Sequence, residues 1–288
     1  MTSTLNLKRI AVAGNPKLLE SLQEAAVIAA YLKEKGLDVS HGSLYDEKLR
    51  KRVHAGEFDL LIAVGGDGTM LRAGHLCAPH GIPILGINGG RLGFLFQVED
   101  GGWPKMIEQL LTGDFWIEKR MMLRADHIRA GETLGSWQAL NDAVVSRGQF
   151  LRPIHIKASV DGQYLTTYVA DGLIASTATG STAYALASGG PILPPELRSI
   201  LIIPIAPHLS VDRAVVLSEG STVSMTVLSE NAVLSVDGQI PIGLADEDQV
   251  NVHVGADNVL FVRFGDPGYF YRNLTAHMNQ NSIIGMPR

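Results

Sequence analysis

Apolar and polar positions along this chain follow two rhythms, and the first gives way to the second near residue 120. Before that point, short apolar runs alternate with segments of helical spacing. "RIAVAGN" (9–15) predicts a strand, and "KLLESLQEAAVIAAYLKEKG" (17–36) a helix with Leu18, Leu22, Ala25, Ala29 and Leu32 on one face and Gly36 as its stop. "DLLIAV" (59–64) is a continuous apolar run ending at Gly65, the pattern of a strand buried on both sides. A helix over 69–77, a strand over 82–88 and a helix over 103–113 with Pro104 near its start complete the series. Strand, helix, strand, helix predicts an α/β domain with a parallel, Rossmann-like sheet at residues 1–119.

After residue 120 helix-length periodicity nearly vanishes. "IHIKASV", "QYLTTYVA", "STVSMTVL", "AVLSV", "QVNVHV" and "NVLFVRF" alternate apolar and polar residues and are separated by turn residues, which predicts a β-rich, two-sheet domain over 120–267. "SVDGQ" occurs at 159–163 and again at 235–239, and Asp-Gly between strands is a hairpin signal. The tail at 269–280 regains a helical pattern, so 268–288 is expected to pack back on the first domain.

Composition narrows the function classes. The 288 residues are 46% hydrophobic and 18% charged, with 24 basic against 29 acidic side chains and no basic block beyond pairs such as Lys51-Arg52. That argues against nucleic acid as a partner. Cys77 is the only cysteine, which excludes intrachain disulfides and multi-cysteine metal sites. The N-terminus lacks a signal-peptide pattern, and the most apolar segment, "ILIIPIAP" at 200–207, is far short of the roughly 20 residues of a membrane helix. A cytoplasmic protein without a membrane partner is expected.

Three stretches carry chemistry. The first is Gly65-Gly66-Asp67-Gly68-Thr69, at the carboxyl end of a predicted strand, where open α/β sheets bind ligands. A glycine run lets backbone N–H groups face an anion, which suits phosphate, while a lone carboxylate among them needs a proton, a metal or another partner. The alternative is a plain strand-to-helix turn with Asp67 or Thr69 as N-cap. The second is "DGLIASTATGSTAYALASGGPIL" (171–193), rich in Gly, Ser, Thr and Ala, which suits ribose and base edges and is long for an uncommitted loop. The third is "LNDAVVSRG" (140–148), where Asn141 offers a donor and an acceptor and Asp142 can accept from ribose hydroxyls, although Asn-Asp is also a common turn pair. "INGGRLGFL" (87–95) reads equally as a second phosphate-facing turn, with Arg91 as charge partner, or as a structural turn. The nine His show no H-E-x-x-H spacing and no G-x-S-x-G occurs, which argues against zinc and serine hydrolases. Met121, Met122, Trp103, Trp116 and Trp137 read as core.

Taken together, these stretches resemble the NAD kinase family. The match comprises "GGDGT" (65–69), "GINGGRLGFL" (86–95), "LND" (140–142), "DGLIASTATGSTAY" (171–184), "GGPI" (189–192), "IAPH" (205–208) and the second "SVDGQ", in the family's order. Lipid kinases and phosphofructokinases share the first of these or a close variant; the 171–192 block is far more specific.

The resemblance implies a site in the crevice between two domains and phosphoryl transfer from ATP or polyphosphate to the 2′-hydroxyl of the adenosine ribose of NAD. It makes Asp67 the candidate catalytic base and Gly65, Gly66, Gly68, Thr69 and Arg91 the donor-phosphate residues. Asn141 and Asp142 would hold the adenine and ribose end, Thr182, Ala183 and Tyr184 the adenine pocket, Asp171 the nicotinamide amide, and Asp237 would lie near the site. Mg²⁺ is expected mainly through the donor phosphates, with no protein metal ligands, and a homodimer or homotetramer is implied. Three positions depart from the family pattern: Asp142 where many members have Glu, Ala178 where many have Pro, and Ala187 where many have Ser. Two rival readings are a lipid kinase, against which the polar 171–184 run argues, and a silent dinucleotide-binding regulator, against which an intact Asp67 argues.

Overall fold

The computed structural model describes residues 7–89, 93–97, 102–149, 152–208, 211–271 and 274. Two compact units divide the chain: one runs up to Lys119 and resumes at Val259, and the other is Arg120–Asn258.

The first unit alternates as its sequence pattern demands. It contains β1 (Arg9–Gly14), α1 (Leu19–Glu34), β2 (Asp38–Ser43), α2 (Glu47–His54), β3 (Leu60–Gly65), α3 (Asp67–Cys77), β4 (Ile84–Asn88) and α4 (Gly102–Thr112). The strands lie in the order β2-β1-β3-β4, all parallel, with Ile10 opposite Leu60 and Leu61 opposite Ile84. Every residue of β3 is buried, as a strand covered on both faces requires.

Helix α1 ends where Gly36 takes φ +85°, but its buried stripe is Ser21, Ala25, Ile28, Ala29 and Leu32 rather than one that starts at Leu18. Leu18 precedes the helix and is 47% exposed. Ser21 is tolerated inside because its hydroxyl donates to the Val64 carbonyl at 2.7 Å and accepts from the Asn15 amide at 2.8 Å. Strand β2 and helix α2 were not legible as elements, since β2 fully buries only Val39, and the charged α2 only Leu49 and Val53. Trp103 packs on this unit's core, edge-on to Tyr31. Residues 269–271 and 274 of the expected C-terminal helix are helical, and the rest of that segment lies outside the described residues.

The second unit is β-rich. The chain enters it along β5 (Trp116–Arg129) and continues through β6 (Glu132–Ala139), β7 (Asp142–Arg147), β8 (Ile154–Val160), β9 (Gln163–Ala170), β10 (Gly172–Ser176) and a four-residue helix α5 (Tyr184–Ala187). Then follow β11 (Ser199–Ile205), β12 (Val215–Ser218), β13 (Val223–Val227), β14 (Ala232–Val236), β15 (Ile242–Leu244) and β16 (Gln249–Arg263). The segments "QVNVHV" and "NVLFVRF" are one continuous strand, β16.

Strands β12-β11-β10-β7-β14-β15 form an antiparallel sheet, while β13 pairs antiparallel with β8 and β16, and β8 with β9. The core joins Leu173, Ile200 and Ile202 of the first set to Ile156, Met225 and Val250 of the second. The other face of the six-stranded sheet is also covered, by Val144, Ile174, Ala178, Ala185, Leu201 and Ile203. Covered on both faces, β10 and β11 show no alternation, which is why "GLIAS" and "SILIIPI" did not read as strands.

Candidate active site

The strand β3 delivers the glycine turn to its carboxyl end, and α3 begins at Asp67 with Gly66 in the cap position and no side-chain cap. The N-cap alternative therefore fails for both Asp67 and Thr69. Gly65 takes φ +152°, and a Cβ there would lie 2.4 Å from Thr69 Oγ1, so only glycine fits. Gly66 and Gly68 face open space. Thr69 points inward: it is 2% exposed and its hydroxyl has no hydrogen-bond partner among the described residues.

The Asp67 carboxylate is tied to the second glycine turn. Its Oδ2 accepts from the Phe94 amide at 3.0 Å and its Oδ1 from the Leu95 amide at 3.1 Å. A Cβ on Gly93 would sit 2.0 Å from Oδ1, so Gly93 is required for the carboxylate to lie against this backbone. Gly89 adds a further tie, donating its amide to the Gly65 carbonyl at 3.1 Å. Arg91 lies outside the described residues.

In the second unit three sequence stretches meet around Asn141. The 176–181 segment is not an exposed hydroxyl surface: Ser176, Thr177, Thr179 and Ser181 are all at most 5% exposed. Ser176 Oγ donates to the Asn141 carbonyl at 3.0 Å, and Thr177 Oγ1 donates to that of Leu140 at 2.5 Å. Gly180 closes against the same segment, since a Cβ there would lie 2.1 Å from the Asn141 carbonyl oxygen. These hydroxyls brace the loop. From the other side Asp237, at φ +48°, accepts from the amides of Leu140 at 2.7 Å, Asn141 at 2.8 Å and Asp142 at 2.9 Å.

The braced segment borders a cavity of about 410 Å³ lined by Asn141, Asp142, Val144, Ser146, Ala183, Tyr184, Ser235, Asp237 and Gly238. Period-two geometry explains the set: residues 142, 144 and 146 share the face of β7 opposite Ala143 and Val145, and Ser235 is the register partner of Val144 on β14. Asn141, Asp142, Ala183, Tyr184 and Asp237 come together here. Two other candidates do not line it: Thr182 donates its hydroxyl to the Thr179 carbonyl at 3.0 Å, and Asp171 pairs with Arg147 Nε at 2.9 Å. Burial, and then the neighbouring Asp237 carboxylate, pushes the Asp142 pKa up to about 7.

Sequence reasoning missed Val144, Ser146, Ser235 and Gly238, and also Gly93. The strand alternation of "DAVVSR" held the signal for the first two, and a glycine three residues beyond a Gly-Gly pair held it for the last. Cys77 is fully buried, and burial raises its thiol pKa, which makes it a core residue. Among the described residues no group of three or more His, Cys, Asp or Glu side chains could hold a metal ion, and no helix is long and apolar enough to cross a membrane.

A glycine turn with an anchored carboxylate at the end of a parallel strand, on a chain whose β-rich unit carries a cavity bordered by Asn141, Asp142 and Asp237, is the equipment a phosphotransferase of nucleotide-binding type needs. Residues 3–115 match the model of the ATP-NAD kinase N-terminal domain, and residues 140–264 that of the ATP-NAD kinase C-terminal domain. An NAD kinase of Chloroflexus aurantiacus is 38% identical over 277 residues, covering 96% of this chain and all of that protein. One from Heliobacterium modesticaldum is 43% identical over 235 residues, 81% of this chain and 82% of the relative. Among solved structures, an Archaeoglobus fulgidus NAD kinase in complex with ATP superposes with a TM-score of 0.75 at 26% identity, covering 94% of this chain and 98% of that one. A yeast NADH kinase complexed with NADH shares the fold, with a TM-score of 0.84 at 22% identity over 98% of this chain and 90% of that one. The chain belongs to the NAD kinase family of phosphotransferases.

Proposed function

We propose that this protein phosphorylates NAD at the 2′-hydroxyl of its adenosine ribose, with ATP or polyphosphate as donor, and that Asp67 is the general base. The observation that carries the reading is the cavity bounded by Asn141, Asp142, Ala183, Tyr184 and Asp237, which gives a dinucleotide an aromatic ring, an amide and carboxyl groups in one place. Tyr184 stacks on adenine, Asn141 reads a base edge, and Asp142 accepts from a ribose hydroxyl. Asp171 meets the nicotinamide amide.

In the transfer, the 2′-oxygen attacks the terminal phosphorus of the donor as the bond from that phosphorus to the bridging oxygen breaks. The hydroxyl proton passes to Asp67, and the shortened donor leaves with the electron pair. The Phe94 and Leu95 amides keep the carboxylate in one pose through this step. The turn at 65–69, opening α3, presents backbone N–H groups to the donor phosphates, as helix N-termini do. Mg²⁺ would supply charge neutralisation and would be held by the phosphates themselves. The working form is a cytoplasmic homodimer or homotetramer.

Purified protein incubated with NAD, Mg²⁺ and either ATP or polyphosphate tests this, with NADP read by an NADP-specific dehydrogenase. NADP should form, and Asp67→Asn should lower kcat by about 10² to 10⁴. A folded, NAD-binding protein that makes no NADP with either donor would contradict the proposal, and an Asp67→Asn variant with near-normal turnover would remove Asp67 from the base role.

A further inference from the structure

The pose of Asp67 depends on the segment whose amides hold it, and that segment is fastened to residues from far along the chain. The Leu95 carbonyl accepts from Arg263 Nη2 at 3.1 Å, while Arg263 Nε donates to Glu118 Oε2 at 2.8 Å. The Tyr269 hydroxyl donates to the same carboxylate, 3.0 and 3.1 Å from its two oxygens. Arg263, Glu118 and Tyr269 are 2%, 5% and 4% exposed, and the guanidinium carbon lies 4.6 Å from the Phe261 ring centre and 5.2 Å from that of Tyr269. Two residues beyond Leu95, Gln97 clasps Phe264: its Nε2 donates to the Phe264 carbonyl at 2.6 Å and its Oε1 accepts from the Phe264 amide at 2.9 Å. The 94–97 segment thus hangs from the end of β16 on one side and grips Asp67 on the other.

A buried ion pair is a poor source of stability, because desolvating two charges costs about what their attraction returns. Arg263 is different from a bare ion pair in one respect. Its guanidinium fork is split between Glu118, which orients it, and the carbonyl of a residue whose own N–H holds the Asp67 carboxylate. Planar, rigid donors of this kind fix geometry better than a flexible ammonium. We infer that Arg263, oriented by Glu118, is a positioning residue for Asp67: it sets the place of the Phe94 and Leu95 amides and thereby the aim of the carboxylate. The inference rests on the reading of Asp67 as the base.

The test is a double-mutant cycle on the full chain with saturating NAD and ATP, comparing wild type, Asp67→Asn, Arg263→Lys and the double variant. Arg263→Lys should lower kcat by about 10- to 100-fold, the scale of a sub-ångström to ångström misplacement, and leave the KM for NAD within about twofold. In the Asp67→Asn background the same substitution should change kcat little, because the group it aims is already gone. If the two losses multiply, or if Arg263→Lys raises KM with kcat unchanged, Arg263 does not act through Asp67. A near-normal Asp67→Asn would instead overturn the base reading and the positioning role together. Should thermal melting show Arg263→Lys unfolded, Gln97→Met removes the neighbouring tether from a half-buried position, and its cycle with Asp67→Asn is read by the same two outcomes.

Discussion

The five residues Ser-Val-Asp-Gly-Gln occur twice in the β-rich unit and make the same turn with different consequences. Asp161 and Gly162 have φ of +51° and +78°, Asp237 and Gly238 of +48° and +66°, the paired positive values that Asp-Gly tolerates in a tight turn. At the first copy the turn joins β8 to β9, and the exposed Asp161 carboxylate accepts one amide, from Thr222 at 2.7 Å. At the second, the Asp237 carboxylate accepts three amides at 140–142 and borders the cavity. Local chemistry decides the turn in both cases. What the carboxylate does depends on which backbone the sheet brings alongside, and only β14, paired with β7, brings a segment with three amides facing it.

The largest separation between the copies should be in pH dependence. Burial, and after it the neighbouring Asp237 carboxylate, pushes the Asp142 pKa up to about 7, whereas the Asp161 carboxylate is exposed. The folded protein then keeps a proton on Asp142 that the unfolded chain releases near pH 4, so this contribution is complete below that pH and is lost as pH rises through 7. The loss is on the order of 4 kcal/mol, and the difference in denaturation free energy between wild type and Asp142→Asn, followed from pH 4 to 8, should show it. Equal slopes in the two proteins would remove the strained carboxyl pair.

Next is Asp237→Ala, which strips the acceptor from three amides and should cost on the order of 3 kcal/mol in urea denaturation. A loss under about 1 kcal/mol would mean that water replaces the carboxylate freely. Tyr184→Ala should weaken NAD binding about tenfold with little change in kcat, as expected for half-exposed stacking worth roughly 1 to 2 kcal/mol; unchanged affinity would place the ring outside the bound ligand. Asp161→Ala should be the mildest, at about 0.5 to 1 kcal/mol for one exposed hydrogen bond, with NADP formation unaffected.

How much of this was legible depends on sequence separation. The β3 strand, the turn at 65–69 and the helix after it were plain, because period, glycine and burial agree over a dozen residues. Both Asp-Gly turns were plain for the same reason. The partners were not. Asp67 reaches amides 27 and 28 residues away, and Asp237 reaches amides 95 to 97 residues away, so nothing local marks either carboxylate as anchored. The 176–181 run misled in a different way. Ser and Thr suggested a ligand surface, yet most of these hydroxyls turn inward, because a buried glycine-rich loop needs donors for its neighbours' carbonyls. The family resemblance supplied Asn141, Asp142, Ala183, Tyr184 and Asp237 together, and the period of β7 explains why Val144 and Ser146 join them.

The most direct test is calorimetric titration of NAD into wild type, Asp161→Ala and Asp237→Ala at a temperature where all three are folded. The account predicts an unchanged dissociation constant for Asp161→Ala and a weakening of at least about tenfold for Asp237→Ala, roughly 1.4 kcal/mol of binding free energy. Equal affinities in the two variants would contradict it, because the second turn would then be no more than a second hairpin.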